Sequence, residues 1–342
     1  MQTLASRGDR PPRFAIVAVL LDPKGELSAT PEGYSMALDS VLALRGDPEI
    51  VVVNNTPMEQ APECHRFLRQ WVRRTPVAQL VQETTNRGIA GGFNDGVAAL
   101  SHSADYLILM SGDALIVDPE LLNVLHQSFE ACRNVGCLHP LSFFEDAPER
   151  CNYSFAFDPS GFRSMRASDP ELALEREKRL RGEVDAMLRR VRRHRRWVSA
   201  PVFTLPLTFF CVRFEVFAAL EGFDEGFVCG HENNDLVLRA RRRGWTARVA
   251  RRTLVLHRRM LFRSLGQTGN ADSVYHHLAG NSAAHWRDKY GDATARHLFR
   301  EAHWGTIIGK HVIPLADPPR RALALGPLLR KTIGRLDGGY RR

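Results

Sequence analysis

Residues 106–113 read YLILMSGD, an apolar run that ends in a carboxylate at Asp113. An unbroken apolar run of this length is typical of a strand buried on both faces of a sheet. Two further stretches share this character, Phe14–Leu21 and Glu49–Val53, and Ala78–Gln82 is predicted as another short strand. Open α/β sheets bind their ligands outside the carboxyl ends of the strands, so the polar residues that follow these runs are candidate site residues.

Helical patterns separate these strands, and they cover Tyr34–Leu44, Pro62–Arg74, Gly92–Ser101 and Pro119–Cys132. Strands that alternate with helices predict an α/β fold of Rossmann type, with a mostly parallel sheet flanked by helices. The later chain is less regular. Its predicted elements are helix Glu171–Arg196, strand Leu207–Arg213, helices Phe214–Leu220 and Asn233–Arg243, and strands Thr246–Ala250 and Thr253–Leu256.

Composition excludes a disordered, collagen-like or low-complexity protein, since 44% of the 342 residues are hydrophobic and 25% are charged. The formal net charge of +9 suits an acidic partner such as nucleotide phosphates, nucleic acid or an anionic membrane surface. Six cysteines without CxxC spacing favour free thiols in a reducing compartment. No leader-like segment and no apolar run of about 20 residues occurs. We therefore expect a cytoplasmic protein, free or peripheral to the inner face of the membrane.

Polar residues follow two of the predicted strands at the expected positions. The run VVVNNT ends in Asn54 and Asn55, which either meet a ligand or form an Asx turn. Asp113 is well placed to hold a divalent cation that bridges phosphates, or else it belongs to a turn. Asp118, just before Pro119, is better explained as the cap of the next helix.

A glycine-rich stretch, NRGIAGGFNDG, lies between a predicted strand and a predicted helix. Glycines allow the backbone to approach a ligand closely, and a helix N-terminus accepts phosphate charge. The stretch is neither GxGxxG nor a P-loop, so a tight strand–helix connection is an equal alternative.

Acidic and amide side chains cluster in GFDEGF and HENNDLVLRARRRGW, at the predicted start of a helix. A carboxylate held near an acceptor hydroxyl can act as a general base. Helix capping and acids favoured by the helix dipole explain the same pattern structurally.

In this order, the segments VVVNNT, NRGIAGGFNDG, LILMSGD and GFDEGF…HENNDL resemble the family 2 glycosyltransferases of the GT-A fold, and most of all their rhamnosyltransferase-like subgroup. The resemblance covers Phe14 to His257. It implies a flexible N-terminus at 1–13, a GT-A domain at 14–262 with a nucleotide-binding half (14–118) and an acceptor half (119–262), and a C-terminal helical extension with a basic tail at 263–342.

The resemblance also implies roles for single residues. Nucleotide contacts fall on Asn54, Asn55, Asn86, Gly88, Gly91, Gly92, Asn94 and Asp113. Asp113 and His257 would bind Mg²⁺ or Mn²⁺ on the diphosphate. Asp224 and Glu225 would lie near the acceptor, and Glu232 or Asp235 would be the catalytic base.

Three positions depart from the family pattern. Asn54 replaces an aspartate that contacts the nucleotide, and Ser111 replaces the first aspartate of the metal motif. Asn233 stands where the catalytic aspartate is usual, and an amide cannot accept a proton as a base. The base is then Glu232 or Asp235, although Asp235 is also spaced to pair with Arg239 one helical turn later.

The function that follows is an inverting, metal-assisted transfer of a sugar from a nucleotide diphosphate sugar. The subgroup suggests dTDP-rhamnose or a UDP-sugar as donor, and a hydroxyl of a glycan, a lipid-linked saccharide or another metabolite as acceptor. Two alternatives remain. One is a catalytically impaired GT-A protein that binds glycan or nucleotide. The other is a basic nucleic-acid-binding protein, although no nucleic-acid-binding motif is present and we expect no nucleic-acid partner.

Overall fold

A computed structural model of the chain describes residues 11–20, 31–60, 62–144, 147–151, 182, 184–199, 201–202, 205–257 and 281–291. These residues form a nine-stranded sheet with helices on both faces. The strands are β1 (Phe14–Leu20), β2 (Glu49–Asn54), β3 (Ala78–Gln82), β4 (Tyr106–Ser111), β5 (Ala114–Ile116), β6 (Val135–Phe144), β7 (Ala147–Cys151), β8 (Phe209–Arg213) and β9 (Thr246–His257). The helices are α1 (Pro31–Leu42), α2 (Pro62–Arg74), α3 (Gly88–Ala98), α4 (Leu121–Glu130), α5 (184–191), α6 (Phe214–Ala219), α7 (Glu232–Arg242) and α8 (281–291).

The sheet reverses its winding direction at β1. The strand order is β3-β2-β1-β4-β8-β6-β9-β5, with β7 paired to β6. The chain runs outward from β1 to β2 and β3, and then returns to place β4 on the other side of β1. Such a reversal opens a crevice at the carboxyl ends of the two strands beside it, where ligands of α/β proteins bind.

Strands β1 to β4 are parallel, as predicted, whereas the other half of the sheet is mixed. Strand β8 is antiparallel to β4 and to β6, and β5 is antiparallel to β9, while β6 and β9 are parallel. An apolar run predicts that a strand is buried on both faces but not its direction, because a central antiparallel strand is buried in the same way.

Strand β9 is continuous, although the sequence predicts two strands there. Arg251 and Arg252 interrupt its apolar pattern, and a register shift between Pro140 and Leu141 of β6 accommodates them. The sequence analysis missed β5, β6 and β7, and the proline within β6 is a residue that normally argues against a strand. Of the predicted helix Glu171–Arg196, residues 171–181 lie outside the described residues, and α5 ends at 191.

Two apolar cores cover the two faces of the sheet. Along β1, Val17 and Val19 face the core that includes α3, α5, α6 and α7. Ile16 and Ala18 face the core that includes α1, α2 and α4. This arrangement explains why β1 is apolar at every position rather than at alternate ones.

Five cysteines of the described part of the chain are free thiols. Cys64, Cys137, Cys211 and Cys229 are buried, and Cys132 is partly exposed. Burial raises the pKa of Cys137 to about 12. Among the described helices, none has the length and apolar character needed to cross a membrane.

Candidate active site

Asp113 and His257, the two predicted metal ligands, lie side by side. Strands β5 and β9 pair with Ala114 opposite His257, which brings the imidazole Nε2 to 2.9 Å from Oδ2 of Asp113. Ser111 donates its hydroxyl to the other carboxylate oxygen. Burial raises the pKa of Asp113, but the hydrogen bonds from His257 and Ser111 outweigh burial and hold the pKa below its usual value. The pair is therefore an anionic carboxylate beside an imidazole.

This pair of side chains fits a divalent cation bound together with a diphosphate. Mg²⁺ is commonly held by one or two carboxylates while substrate phosphates and water complete its shell, and Mn²⁺ also accepts imidazole. Within the described residues no third His, Cys, Asp or Glu joins the pair. The protein would thus supply two ligands, Asp113 and His257, and leave the other positions to substrate and solvent.

Asn54 and Asn55 are fully buried at the end of β2. Asn54 donates from Nδ2 to Oε1 of Gln82 at 2.7 Å, a contact that an aspartate could not make. Asn55 donates to the carbonyl of Gly88 at 2.6 Å and accepts from the backbone NH of Arg87 at 2.9 Å. The Asn55 amide therefore fixes the start of α3 to the end of β2.

The glycine-rich stretch is the first part of α3 rather than a loop before it, so the prediction that the helix begins at Gly92 was wrong. Gly88 has a φ of 70°, and a Cβ there would lie 2.6 Å from the carbonyl oxygen of Val228. At Gly92, a Cβ would lie 3.1 Å from Cγ1 of Val19. Glycine is a poor helix former, so packing rather than helix propensity explains these glycines. Without a side chain, they allow α3 to lie close to its neighbours.

The other predicted nucleotide contacts of this stretch are engaged within the protein. Asn86 accepts the backbone NH of Gly88 at 2.8 Å, and Gly91 lies against the side chain of Arg87. Asn94 accepts the NH of Phe223 at 2.9 Å and donates to its carbonyl at 3.0 Å. The Asn94 amide thereby joins α3 to the segment that carries the two predicted acceptor residues.

Those two residues, Asp224 and Glu225, are held from opposite sides. Arg87 donates from Nη2 to Glu225 Oε2 at 3.0 Å. On the other side, Lys289 of α8 contacts Asp224 Oδ2 at 2.5 Å, and Nε2 of His285 lies 3.1 Å from the same oxygen. Burial raises the pKa of Asp224, but the hydrogen bonds from Lys289 and His285 prevail and lower it to about 2.

Glu232 is the first residue of α7 and is only 3% exposed. Its Oε2 atom is buried and has no hydrogen-bond partner within the described part of the chain. Burial raises the pKa of this carboxyl to about 7. A carboxyl with this pKa and a free oxygen is suited to accept a proton near neutral pH.

Asp235, the other predicted base, lies one turn further along α7 and is fully buried. Arg239 donates from Nε to Oδ2 at 2.6 Å, so the pairing that the sequence spacing suggested is present. Lys289 lies 2.7 Å from Oδ1, and Tyr290 donates its hydroxyl to the same oxygen. Both oxygens of Asp235 are therefore occupied by protein donors.

The segment 205–208 connects the surroundings of Asp113 with those of Glu232. The sequence analysis did not single it out as part of the site. The backbone carbonyl of Thr208 accepts from the NH of Ser111 at 3.0 Å, two residues before Asp113. The carbonyl of Leu205 accepts from Nδ2 of Asn233, the residue after the candidate base. An aspartate at 233 would lack this donor, which gives the asparagine a structural reason.

Helix α8 was also missed as a source of site residues. Of the predicted extension at 263–342, it is the part that the structure describes. Ser282, His285, Trp286, Lys289 and Tyr290 all contact the region from 224 to 235. One signal was available in the sequence, since Lys289 is one of only five lysines in a chain whose basic residues are otherwise arginine.

No family model and no curated protein matches the sequence of this chain. Similarity appears in solved structures. Mannosyltransferase PcManGT from Pyrobaculum calidifontis, in complex with GDP-Man and Mn²⁺, is 16% identical over 96% of this chain and 81% of that chain, with a TM-score of 0.46. GalNAc-T7 with UDP, GalNAc and Mn²⁺ is 14% identical over 73% of this chain, with a TM-score of 0.50. The chain has the GT-A glycosyltransferase fold.

The GT-A fold agrees with the fold class predicted from the sequence. The present chain spans 44% of the length of the GalNAc-T7 chain that it matches. In this GT-A sheet, Gly112 donates its NH to the carbonyl of Val19, and Gly92 packs on the Val19 side chain. The segment that leads into Asp113 and the first part of α3 therefore meet at the carboxyl end of β1. The rhamnosyltransferase-like subgroup stays a prediction.

Proposed function

We propose that this protein is an inverting, metal-assisted glycosyltransferase that moves a sugar from a nucleotide diphosphate sugar to an acceptor hydroxyl. The observation that carries the proposal is Glu232, a buried carboxyl with a pKa of about 7 and one oxygen that has no hydrogen-bond partner among the described residues. The GT-A fold supports metal-assisted transfer from a nucleotide sugar, since the similar GalNAc-T7 structure contains UDP, GalNAc and Mn²⁺.

Glu232 would act as the general base of a single displacement. Its carboxylate takes the proton from the acceptor hydroxyl while the acceptor oxygen forms a bond to the anomeric carbon. The bond between that carbon and the donor phosphate oxygen breaks, and the nucleoside diphosphate leaves with the electron pair. Attack opposite the leaving group inverts the anomeric configuration.

The leaving diphosphate would be held at the Asp113–His257 pair. A bound Mg²⁺ or Mn²⁺ supplies positive charge that neutralises the departing phosphate oxygens. The protein's own task there is to keep Asp113 anionic and oriented, which Ser111 and His257 do by hydrogen bonding. The start of α3, where glycines allow a close backbone approach, would lie along the nucleotide.

The subgroup resemblance suggests dTDP-rhamnose or a UDP-sugar as donor. For the acceptor we propose a hydroxyl of a glycan, a lipid-linked saccharide or another metabolite, bound near Asp224 and Glu225. Because both of those carboxylates already contact basic side chains, the acceptor would approach an ordered surface rather than a mobile loop.

The test is a panel of nucleotide sugars incubated with the full chain and Mg²⁺ or Mn²⁺, with release of nucleoside diphosphate as the signal. We expect one donor to be turned over, with a rate that rises with pH through about 7 as Glu232 loses its proton. Glu232→Gln should lower the rate by about 10²- to 10⁴-fold, and Asp113→Ala should remove the metal dependence. Glu63→Gln is the matched control, because Glu63 is an exposed glutamate of α2.

A protein that binds nucleotide sugar without turnover is the second candidate, favoured by the hydrogen bond that Asn233 donates to Leu205 and by the full occupation of Asp235. Thermal stabilisation by one nucleotide without release, across the panel and with glycan acceptors added, would support it. Failure of every nucleotide to bind would overturn both candidates. Salt-dependent binding of DNA would then favour a nucleic-acid-binding protein.

A further inference from the structure

Helix α8 docks against the segment that leads into the candidate base. Ser282 accepts the backbone NH of Cys229 at 3.0 Å. Trp286 is 6% exposed, and its ring centroid lies 6.0 Å from that of Phe227 and 5.3 Å from that of His231. One face of α8 thus covers residues 227–231, which immediately precede Glu232.

Lys289 connects the two ends of this region through one ammonium group. Its Nζ lies 2.5 Å from Oδ2 of Asp224 and 2.7 Å from Oδ1 of Asp235. Asp224 precedes Glu232 by eight residues, and Asp235 follows it by three residues in the first turn of α7. Glu232 is therefore enclosed in a loop of chain whose two ends share one cation.

No other described basic group is placed to replace this cation. Arg239 already donates to Asp235 Oδ2, to the carbonyl of Leu220 at 2.6 Å and to the carbonyl of Gly222 at 2.8 Å. These three bonds fix the guanidinium on its own side of Asp235. His285 contacts Asp224 but has no contact with Asp235 among the described residues. The bridge between the two carboxylates is specific to Lys289.

We propose that Lys289 is a positioning residue, which clamps Asp224 to Asp235 and so holds the carboxyl of Glu232 in its reactive orientation. The proposal rests on the proposed function, in which Glu232 is the base. Small displacements of a catalytic group lower the reaction rate strongly, because the reacting atoms must be aligned before transfer. A clamp of this kind raises kcat without touching the donor.

Three variants of the full chain test the clamp in the nucleoside diphosphate release assay. Lys289→Met removes the charge at similar volume, and we expect kcat to fall about 10- to 100-fold while the KM for the donor is unchanged. Lys289→Arg should restore most of kcat, since a guanidinium reaches two carboxylates. Arg287→Met is the matched control, because Arg287 is exposed on the same helix and pairs with no described residue. It should behave as wild type.

Hydrogen exchange of the unliganded protein separates failure of the clamp from failure of the proposed function. In Lys289→Met, the backbone NH groups of residues 224–235 should exchange about tenfold faster than in wild type and in Arg287→Met. Unchanged exchange overturns the clamp, whatever the activity. Faster exchange with unchanged kcat in an active enzyme overturns the positioning role. Faster exchange in a protein that turns over no donor leaves the clamp intact and instead rejects the transferase proposal together with the positioning role.

Discussion

Three neighbouring polar residues at the start of α7 differ because of what surrounds them. Glu232 is buried, and one of its oxygens has no partner in the part of the chain that the structure describes. Asn233 donates to the carbonyl of Leu205, and Asp235 is occupied by three donors. Only Glu232 combines a carboxyl with a pKa near neutrality. Residue type alone offered two candidate bases, and the pattern of hydrogen bonds favours one of them.

The buried carboxyl of Glu232 makes stability depend on pH. Burial raises its pKa from 4.5 to about 7, so between these pH values the unfolded chain loses a proton that the folded protein keeps. Stability therefore falls as pH rises from about 4.5 to about 7 and then levels off, with a total loss of up to about 3 kcal/mol. We expect Glu232→Gln to remove this loss, so that at pH 8 the variant is more stable than wild type.

Guanidinium denaturation at pH 5 and pH 8 measures this difference. Glu63→Gln controls for the removal of one carboxylate from the surface. The burial argument would be wrong if wild type and Glu232→Gln lost stability equally between the two pH values.

At the scale of elements, the glycines of α3 are explained by packing. Helix α3 crosses β1 and β2 so closely that a Cβ at Gly96 would lie 2.3 Å from Cγ1 of Val17 and 2.7 Å from Cγ2 of Val53. Both valines are fully buried, so neither side chain has space to move. The sequence analysis assigned the glycines to ligand contact or to a tight connection. The observed distances show that at Gly96 the helix–sheet contact itself requires glycine.

Gly96→Ala should therefore destabilise the protein, although alanine favours helices. Overpacking of a close contact between α3 and the sheet is expected to lower the free energy of unfolding by about 1–3 kcal/mol. Gly182→Ala is the matched control, because a Cβ there meets nothing within 4 Å, and it should be neutral or slightly stabilising. Denaturant midpoints that are equal for the two variants would contradict the packing explanation.

At the scale of the whole molecule, the net charge of +9 is unevenly distributed. Residues 189–196 contain six arginines, of which five are exposed: Arg189, Arg192, Arg193, Arg195 and Arg196. We call residues 189–196 the arginine surface. The peripheral association with an anionic membrane predicted from the sequence would use such a surface, since each basic residue near anionic lipid contributes about 1 kcal/mol.

Vesicle sedimentation tests this association. The full chain should bind vesicles of anionic lipid, release them as salt rises, and ignore neutral vesicles. Reversing two charges in Arg193→Glu/Arg195→Glu should weaken binding about tenfold or more. Arg69→Glu/Arg73→Glu makes the same change on exposed positions of α2. An equal loss in both double variants would show that net charge matters and the arginine surface does not.

The sequence predicted most of the strands and helices within residues 14–118 and fewer of those in the remainder. Strands β1, β2 and β4 are short and strongly apolar, so their pattern and length identify them, whereas β3 is short and contains two glutamines. Strand β6 includes Pro140, and β9 includes two consecutive arginines, so neither has a continuous apolar pattern. The predictions on residues 1–10 and on most of the basic tail at 263–342 fall outside the described residues.

For the candidate site, local sequence pattern was enough to identify the chemical groups and their order: a carboxylate after β4, amides after β2, glycines before β4 and acids at the start of α7. Their partners were decided by the tertiary structure. Asp113 meets His257 across 144 positions of chain, and Lys289 reaches Asp224 across 65. Local pattern reflects burial and backbone propensity, whereas these contacts depend on which strands and helices pack together. The hydrogen-bond partners of a carboxyl and the shift of its pKa therefore depend on the folded structure.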